Sequence, residues 1–152
     1  MLIVQEADNS ILNDIYLMGY DTWANGLGKE DYLENCRNST KYKKGVWYVG
    51  YNKDCLVTSL IMYHFDKNTY GIGSVATNPL YRKKGYAQQL IQNILKDNPN
   101  KVFFLYSDIN PNFYRKLGFV EVERKEEKNI NSRLMMFPES TDINTIQIPS
   151  YF

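Results

Sequence analysis

Cysteine and histidine are scarce in this 152-residue chain, which has two cysteines and one histidine. Two cysteines cannot form the framework of several disulfides that stabilises small secreted proteins, so we expect Cys36 and Cys55 to be buried, reduced thiols. A single histidine leaves few ligands for a metal ion and disfavours a Ser–His or Cys–His triad. We therefore expect no metal site, and we expect His64, near the end of a strand, to be a packed or surface side chain.

An excess of charge of one sign is also missing. The 18 basic and 17 acidic residues give a net charge of +1, which offers no electrostatic case for binding nucleic acid. No apolar run approaches the roughly 20 residues of a membrane span, and Glu6 follows the N-terminus too closely for a signal peptide. We expect a soluble cytoplasmic domain, monomeric or homodimeric, with no nucleic-acid or membrane partner.

Strand-like and helix-like segments alternate in the order β-α-α-β-β-β-α-β-α-β-β, and the length suits one domain. We expect that domain to span residues 1–137, followed by a C-terminal tail of uncertain structure over 138–152. The predicted strands are Leu2–Gln5, Val46–Tyr51, Leu56–Phe65, Tyr70–Thr77, Val102–Tyr106, Phe119–Glu123 and Leu134–Phe137, and the last two flank a charged turn Arg124–Ser132. The predicted helices are one capped by Ser10, one over Glu30–Arg37, one from about Gly85 and a short one opened by Asn110 and Pro111.

Two patterns are better explained by local structure than by ligands. The stretch Gly71–Ala76 fits the dinucleotide pattern G-x-G-x-x-A, but it follows a turn and precedes extended chain, whereas that motif needs a strand before it and a helix after it. We interpret its glycines as a strand irregularity or a close backbone approach. The basic cluster Lys41–Lys44 precedes no helix start, so we interpret it as a solvated loop.

The basic turn Arg82–Ala87 is the most informative stretch. It lies between a predicted strand and a helix with one apolar stripe, formed by Ala87, Leu90, Ile91, Ile94 and Leu95. The first amides of a helix lack intrahelical partners, and the helix dipole adds a partial positive charge there, so such a turn can hold a phosphate. Gly85 would let a ligand approach the backbone closely.

Three elements together resemble one family. The turn Arg82–Ala87 has the spelling R-x-x-G-x-A of the pyrophosphate loop of the GNAT superfamily of acyl-CoA N-acyltransferases. The strand Gly73–Thr77 that leads into it, and the later segment Phe113–Phe119, which reads F-Y-x-x-x-G-F, are similar to that family in order and spacing. The resemblance is strongest over Gly45–Phe119, and the element order from Leu2 to Phe137 is compatible with it.

This resemblance implies an α+β fold with a mixed, largely antiparallel twisted sheet of about seven strands flanked by about four helices. It also implies that the sheet is splayed between its fourth and fifth strands, and that the gap admits the pantetheine arm of acyl-CoA. The implied activity is an N-acetyltransferase that moves an acetyl group from acetyl-CoA to a primary amine, on a small molecule or a peptide, by direct attack in a ternary complex.

The resemblance also assigns residues to acetyl-CoA. The backbone of Val75 and Thr77 is expected to hydrogen-bond pantetheine as an added strand would. The amides of the turn are expected to hold the pyrophosphate, with the side chains of Arg82, Lys83 or Lys84 adding charge. The complete expected set is Val75, Ala76 and Thr77 in the strand, Arg82, Lys83, Lys84, Gly85, Tyr86 and Ala87 in the turn, and Asn110, Phe113 and Tyr114 along the far side of the arm.

Tyr114 is the expected catalytic residue, as the general acid for the leaving thiolate, and the alternative is a tyrosine packed beside the cofactor. Many relatives have a glutamate as base on the strand before the turn, and Tyr70–Thr77 contains no acid. Asp108, His64 and a water held by backbone carbonyls remain candidates. Asp108 could equally cap the turn that follows it, which we favour.

Substrate choice is expected to come from the early helices, over Tyr20–Arg37, and from the Arg124–Ser132 turn. Acids facing the cleft would favour a cationic amine. The residues of interest in the early helices are Trp23, Glu30, Asp31 and Glu34.

Two other functions stay open. The missing strand glutamate is compatible with a non-catalytic acyl-CoA sensor or scaffold of the same fold, although a tyrosine at position 114 argues for catalysis. A related fold without any coenzyme A site is disfavoured because the Arg82–Ala87 turn keeps both its glycine and its basic residues.

Overall fold

The computed structural model describes residues 2–123 and 132–152. The strands are β1 (Leu2–Glu6), β2 (Val46–Asn52), β3 (Cys55–His64), β4 (Thr69–Thr77), β5 (Val102–Ser107), β6 (Val120–Glu121) and β7 (Arg133–Phe137). The helices are α1 (Leu12–Met18), α2 (Tyr20–Trp23), α3 (Lys29–Asn38), α4 (Thr40–Lys43), α5 (Tyr86–Asp97) and α6 (Asn112–Arg115). Short 3-10 helices cover Asn9–Ile11, Pro79–Tyr81 and Ile143–Thr145. None of the helices in these residues is long and apolar enough to cross a membrane.

The seven strands form one mixed sheet in the order β1-β2-β3-β4-β5-β7-β6. Strands β1 to β3 pair antiparallel, and so do β5, β7 and β6, whereas β4 and β5 are parallel. The β2–β3 hairpin closes with Asn52 opposite Cys55, and Lys53 in its two-residue loop has a φ of 55°. The predicted α+β fold with a largely antiparallel sheet is confirmed.

The ladder between β4 and β5 is short. It joins Thr69–Ile72 to Val102–Leu105, and the remainder of β4, Gly73–Thr77, lies beyond the last pair. This is the splay that the resemblance implied.

The predicted irregularity is at Ser74, which follows Gly73 and has a φ of 46°. A serine in this left-handed region is strained, so the surrounding structure must hold it there. The alternative prediction, a close approach to the backbone, holds at Gly71, where an added Cβ would lie 2.7 Å from the Phe65 ring and 2.8 Å from the Phe152 ring.

The chain divides into two compact units, of which the first comprises the residues up to Met62 together with Ser74–Asp97. Its long helix α5 packs against β1 and β2 with its predicted apolar stripe, of which Leu90, Ile91 and Ile94 are buried. Helix α1 packs against α3, where the Tyr32 hydroxyl donates to the Tyr16 carbonyl at 2.7 Å. These contacts fix the two early helices within this unit.

The second unit comprises Tyr63–Gly73 and Asn98–Phe152. One part of its core is formed by buried Phe104, Leu134 and Met136. The tail after β7 packs onto this cluster through Ile143, Ile146, Ile148 and Phe152. The ring of Phe152 also contacts Tyr63, Phe65 and Tyr106, with ring centroids 5.6, 5.0 and 5.4 Å away. Residues 138–152 are therefore a packed part of this unit.

Helix and strand bounds agree with prediction to within one or two residues, and the exceptions are local. Ser10 does not cap α1; the Asp8 carboxylate instead accepts the Ser10 amide at 2.8 Å and caps the 3-10 helix before it. Lys41–Lys44 is not a loop, because most of it forms α4. Cys55 is exposed, since it opens β3 directly after the hairpin turn. Apart from its last residue, the charged turn predicted at 124–132 lies outside the described residues.

Candidate functional site

The turn between β4 and α5 has a defined conformation. Asn78 organises its entry, because its side chain accepts the Leu80 amide at 3.1 Å and its carbonyl accepts the Tyr81 amide at 2.8 Å. Lys83 and Gly85 then adopt left-handed conformations, with φ of 65° and 82°. A Cβ atom added at Gly85 would meet no atom within 4 Å. Glycine is therefore required by the backbone conformation, and the space above it is free for another group.

The amides at the start of α5 face the same turn. The Gln89 amide donates to the Gly85 carbonyl at 3.0 Å, so the preceding amides of the helix, those of Tyr86, Ala87 and Gln88, come before its first α-helical bond. Lys83 and Lys84 are exposed beside them. Amides that precede the first intrahelical bond, the helix dipole and two cations together form a site suited to a phosphate group.

Arg82 stands apart from its neighbours, because its side chain is bound to protein groups. Its guanidinium donates two hydrogen bonds to the Asp21 carboxylate, at 2.6 and 2.8 Å. It also donates to the carbonyls of Met18, at 3.3 Å, and Thr77, at 3.1 Å. The hydrogen bond from Arg82 holds the pKa of Asp21 below its usual value. Asp21 was missed by the sequence analysis, since nothing local to it indicates a partner 61 residues away.

Along β4, the backbone alternates in the way that the predicted pantetheine contacts require. The Asn78 amide donates to Val57 of β3 at 2.8 Å. Because successive residues in a strand direct their backbone groups to opposite edges, Val75 and Thr77 direct theirs away from β3, whereas Ala76 faces it. The Thr77 carbonyl already accepts a bond from Arg82, but a carbonyl has a second lone pair and the Thr77 amide remains.

The first unit also contains a cavity of 650 Å³, lined in part by the rings of Tyr16, Tyr42 and Trp47. The Tyr42 hydroxyl accepts a hydrogen bond from Ser74 Oγ at 3.4 Å, which links this cavity to the strained residue of β4. The charged residues of the cavity lining carry both signs, and they are Glu6, Arg37 and Lys43.

The acids proposed to attract a cationic amine are on the outer face of α3. Glu30, Asp31 and Glu34 are exposed, and the buried face of this helix consists of Tyr32, Leu33 and Cys36. Exposed acids on a helix face are ordinary surface charges, so they do not indicate which class of amine the protein acetylates.

In the second unit, Tyr114 is held firmly on the short helix α6. The Asn110 side chain accepts the Asn112 amide at 3.0 Å just before the helix, but the N-cap is Pro111, one residue later than predicted, and Gly118 with a φ of 99° follows the helix. Tyr114 is only 7% exposed. Its ring packs edge-on against Phe113 and Phe119, with centroids 5.0 and 6.0 Å away.

Burial, with a smaller effect from the nearby Asp108, raises the pKa of Tyr114 to about 12. Its phenol is therefore protonated at neutral pH and can donate a hydrogen bond. The Asp108 carboxylate accepts a bond from the Ser132 hydroxyl. In the turn that Asp108 was expected to cap, the Asn112 amide donates to the Asn110 side chain instead. His64 is exposed and stacks on Tyr70 with the ring centroids 4.5 Å apart.

The raised pKa of Tyr114 predicts a pH dependence of stability. Its phenol has an ordinary pKa of 10.0 and a folded value of about 12, so the folded protein binds more protons than the unfolded chain between these values. Stability therefore falls as the pH rises through this window, by up to about 1.4 kcal/mol per pH unit from this group. Urea unfolding of wild type and Tyr114→Phe at pH 9 to 11.5 should show the shallower decline in the variant. Equal slopes would contradict the assignment.

Metal chemistry has no evident centre in the part of the chain that the structure describes. Over residues 2–123 and 132–152, no three His, Cys, Asp or Glu side chains lie together in an arrangement that could hold a metal ion.

Solved structures similar to this one are acetyltransferases at low sequence identity. The ribosomal-protein-S18-alanine N-acetyltransferase of Escherichia coli is 14% identical with a TM-score of 0.68, over 97% of this chain and 100% of that one. N-acetylglutamate synthase of Neisseria gonorrhoeae, in complex with coenzyme A and N-acetyl-glutamate, is 15% identical with a TM-score of 0.66, over 90% of this chain and 34% of that one. Histone acetyltransferase HPA2 and related acetyltransferase from Corynebacterium glutamicum is 13% identical with a TM-score of 0.70, over 93% of this chain and 98% of that one.

These likenesses establish the fold, and a family model establishes the family. Among curated protein sequences, none matches this chain significantly. The model of the acetyltransferase (GNAT) domain matches residues 43–121, which is more than half of the chain. The match includes both Tyr114 and the turn Arg82–Ala87, which we call the phosphate turn. The sheet order, the splay after Ile72 and this match lead to one conclusion: the chain belongs to the GNAT family of acetyltransferases.

Proposed function

We propose that this protein is an N-acetyltransferase that moves an acetyl group from acetyl-CoA to a primary amine, on a small molecule or a peptide, by direct attack in a ternary complex. The observation that carries the proposal is the turn before α5. Its left-handed Gly85, the free space above that residue and the first amides of a 12-residue helix fit a pyrophosphate.

Each part of the donor has candidate residues. The amides of Gly85, Tyr86 and Ala87 bind the pyrophosphate, and the exposed side chains of Lys83 and Lys84 add positive charge. The backbone of Val75 and Thr77, at the edge of β4 that faces away from β3, pairs with pantetheine as a short added strand. In the other unit, Asn110, Phe113 and Tyr114 are assigned to the arm by the family resemblance, and Ala76 by its place between the two pairing residues.

The reaction needs little from the protein beyond placing two groups together. The amine nitrogen attacks the thioester carbonyl carbon, the carbon–sulfur bond breaks, and coenzyme A leaves as a thiolate while the nitrogen loses a proton. Holding the partners in contact lowers the barrier by removing the entropic cost of their encounter. A lysine-like amine with a pKa of about 10.4 is only about one part in two thousand neutral at pH 7, so the rate should rise toward alkaline pH.

Tyr114 supplies the donor for the leaving group. A phenol with a pKa of about 12 is a weaker acid than a thiol of about 8.5, so full proton transfer to the sulfur is uphill and a hydrogen bond forms first. That bond stabilises the developing negative charge on sulfur. No carboxylate of β4 serves as base, and we leave that role to Asp108, to His64 or to water.

The activity is tested by measuring the release of the coenzyme A thiol from acetyl-CoA with a thiol-reactive chromophore. The panel contains polyamines, amino acids and peptides with a free N-terminus, because the described residues do not select among these classes of amine. An amine that accelerates release, with intersecting initial-rate lines, supports direct attack, whereas parallel lines would indicate a covalent intermediate. Tight binding of acetyl-CoA without release for any amine would favour the non-catalytic sensor.

A further inference from the structure

A single guanidinium joins three segments of the first unit. Arg82 lies in the phosphate turn, and its side chain binds Thr77 at the end of β4, Met18 at the end of α1 and Asp21 in the first turn of α2. We propose that Arg82 is a positioning residue rather than a pyrophosphate ligand: it couples the phosphate turn to the α1–α2 corner, so that ordering one segment orders the other. This inference rests on the proposed function insofar as coenzyme A is the ligand.

The hydrogen bonds of Arg82 leave little capacity for a ligand. A guanidinium has five N–H donors, and four of the bonds they can make are already formed within the protein. The two bonds to Asp21, at 2.6 and 2.8 Å, have the parallel, bidentate geometry that a guanidinium and a carboxylate favour. One N–H is left for a ligand, so a pyrophosphate could be held by two parallel bonds from this side chain only by displacing a carboxylate that already fits it.

The charge of Arg82 is also compensated. With the carboxylate of Asp21 beside it, the pair is neutral, so the cationic character of the turn comes from Lys83 and Lys84. Both lysines are exposed and precede the amides of α5. The neutral pair therefore fixes the conformation of the turn, while the two lysines attract an anionic ligand to it.

The three residues that Arg82 binds, Met18, Asp21 and Thr77, suggest what this coupling does. Met18 is the last residue of α1, where carbonyls lack helical partners and a cation complements the helix dipole. Asp21 begins the segment Tyr20–Arg37 that we connected with acceptor recognition. Thr77 is one of the two residues of β4 proposed to pair with pantetheine. Binding of the donor to the turn is therefore expected to reduce motion at the α1–α2 corner, next to the segment expected to influence the choice of acceptor.

Two substitutions separate this role from direct phosphate binding, with coenzyme A affinity measured by isothermal titration calorimetry. Arg82→Lys keeps the positive charge but loses the two parallel N–H donors of the guanidinium. Asp21→Asn keeps the shape of the side chain but loses its negative charge. A positioning role predicts that each substitution weakens coenzyme A binding by about threefold to tenfold. The double variant should then bind coenzyme A no less tightly than the single variant with the larger loss of affinity. Asp97→Asn, an equal charge change at the exposed C-terminal end of α5, is the control and should leave affinity unchanged.

Direct phosphate binding predicts the opposite pattern. Arg82→Lys would then retain most of the affinity, and Asp21→Asn would tighten binding by releasing the guanidinium and removing a negative charge. Tighter binding by Asp21→Asn, or additive losses in the double variant, would overturn the inference.

Hydrogen exchange of the unliganded protein gives a readout that does not depend on coenzyme A. Asp21→Asn should accelerate amide exchange in both Leu12–Trp23 and the turn up to Ala87, whereas a local defect would accelerate only the segment around residue 21. Faster exchange confined to that segment would also overturn the coupling. If wild type fails to bind coenzyme A, the proposed function fails, and the exchange result alone decides whether Arg82 couples the two segments.

Discussion

The Gly85→Glu variant is expected to lose the thermal stabilisation that acetyl-CoA gives the wild-type protein. At about 100 times its dissociation constant, a ligand adds about 2.7 kcal/mol to the stability of the folded state, which for this chain length raises the melting temperature by about 5–11 °C. The glutamate places a negative charge and a side chain in the space above Gly85, which a pyrophosphate would occupy. We expect no measurable shift in the variant at the same ligand concentration.

Backbone strain must be separated from loss of the ligand. Gly85 has a φ of 82°, and a non-glycine residue there costs about 1–2 kcal/mol, so the unliganded variant should melt at a lower temperature. Gly26→Glu is the matched control, because Gly26 has a φ of 87° and also has no atom within 4 Å of an added Cβ. It should lose similar stability and keep the full shift with acetyl-CoA. A normal shift in Gly85→Glu would exclude this turn as the pyrophosphate site, and no shift in wild type would remove the acetyltransferase proposal itself.

The sequence was sufficient for the fold because its signals are local and repeated. The stripe of α5, the apolar run of β5 and the two-residue loop after Asn52 each specify an element through neighbouring residues. The resemblance then supplied the mixed, largely antiparallel sheet and the splay between its fourth and fifth strands, which periodicity alone does not determine. The strand order and the parallel pairing of β4 with β5 are findings of the structure. Elements whose local preference agrees with the global fold are the ones that can be predicted from a single sequence.

The interactions that complete the candidate site could not be predicted in the same way. The pair Arg82–Asp21 joins residues 61 positions apart, and the bond between Ser74 and Tyr42 joins residues 32 apart. Either partner taken alone looks like a surface residue. The positive φ of Ser74 was missed because glycine is the usual residue in that conformation, and the prediction named Gly71 and Gly73 instead.

The raised pKa of Tyr114 also depends on contacts that form only in the folded structure. The sequence identified a tyrosine at the expected position, but burial against Phe113 and Phe119 and the proximity of Asp108 decide its proton affinity. This changes the expected role in one respect. In the proposed mechanism, Tyr114 enters the reaction as a protonated donor, and its proposed contribution is a hydrogen bond to the developing thiolate before any proton moves.

Tyr114→Phe is expected to lower kcat by about 10²–10⁴-fold, which is the usual contribution of a general acid. The substitution keeps the ring, so its contacts with Phe113 and Phe119 are retained and the affinity for acetyl-CoA should stay within about twofold of wild type. Steady-state rates with the best amine of the panel, together with calorimetric binding of coenzyme A, provide both quantities. Tyr106→Phe is the control, because it removes a hydroxyl in the same unit that donates to the Pro149 carbonyl.

The division between kcat and affinity decides between the two roles considered for Tyr114. If its hydroxyl donates to the sulfur, the interaction strengthens as charge develops, so the loss appears in kcat and leaves binding of the donor unchanged. If the residue only packs beside the cofactor, the retained ring preserves kcat, and any loss appears in affinity. A Tyr114→Phe enzyme that keeps more than about a tenth of the wild-type kcat would therefore exclude Tyr114 as the proton donor and leave that role to water.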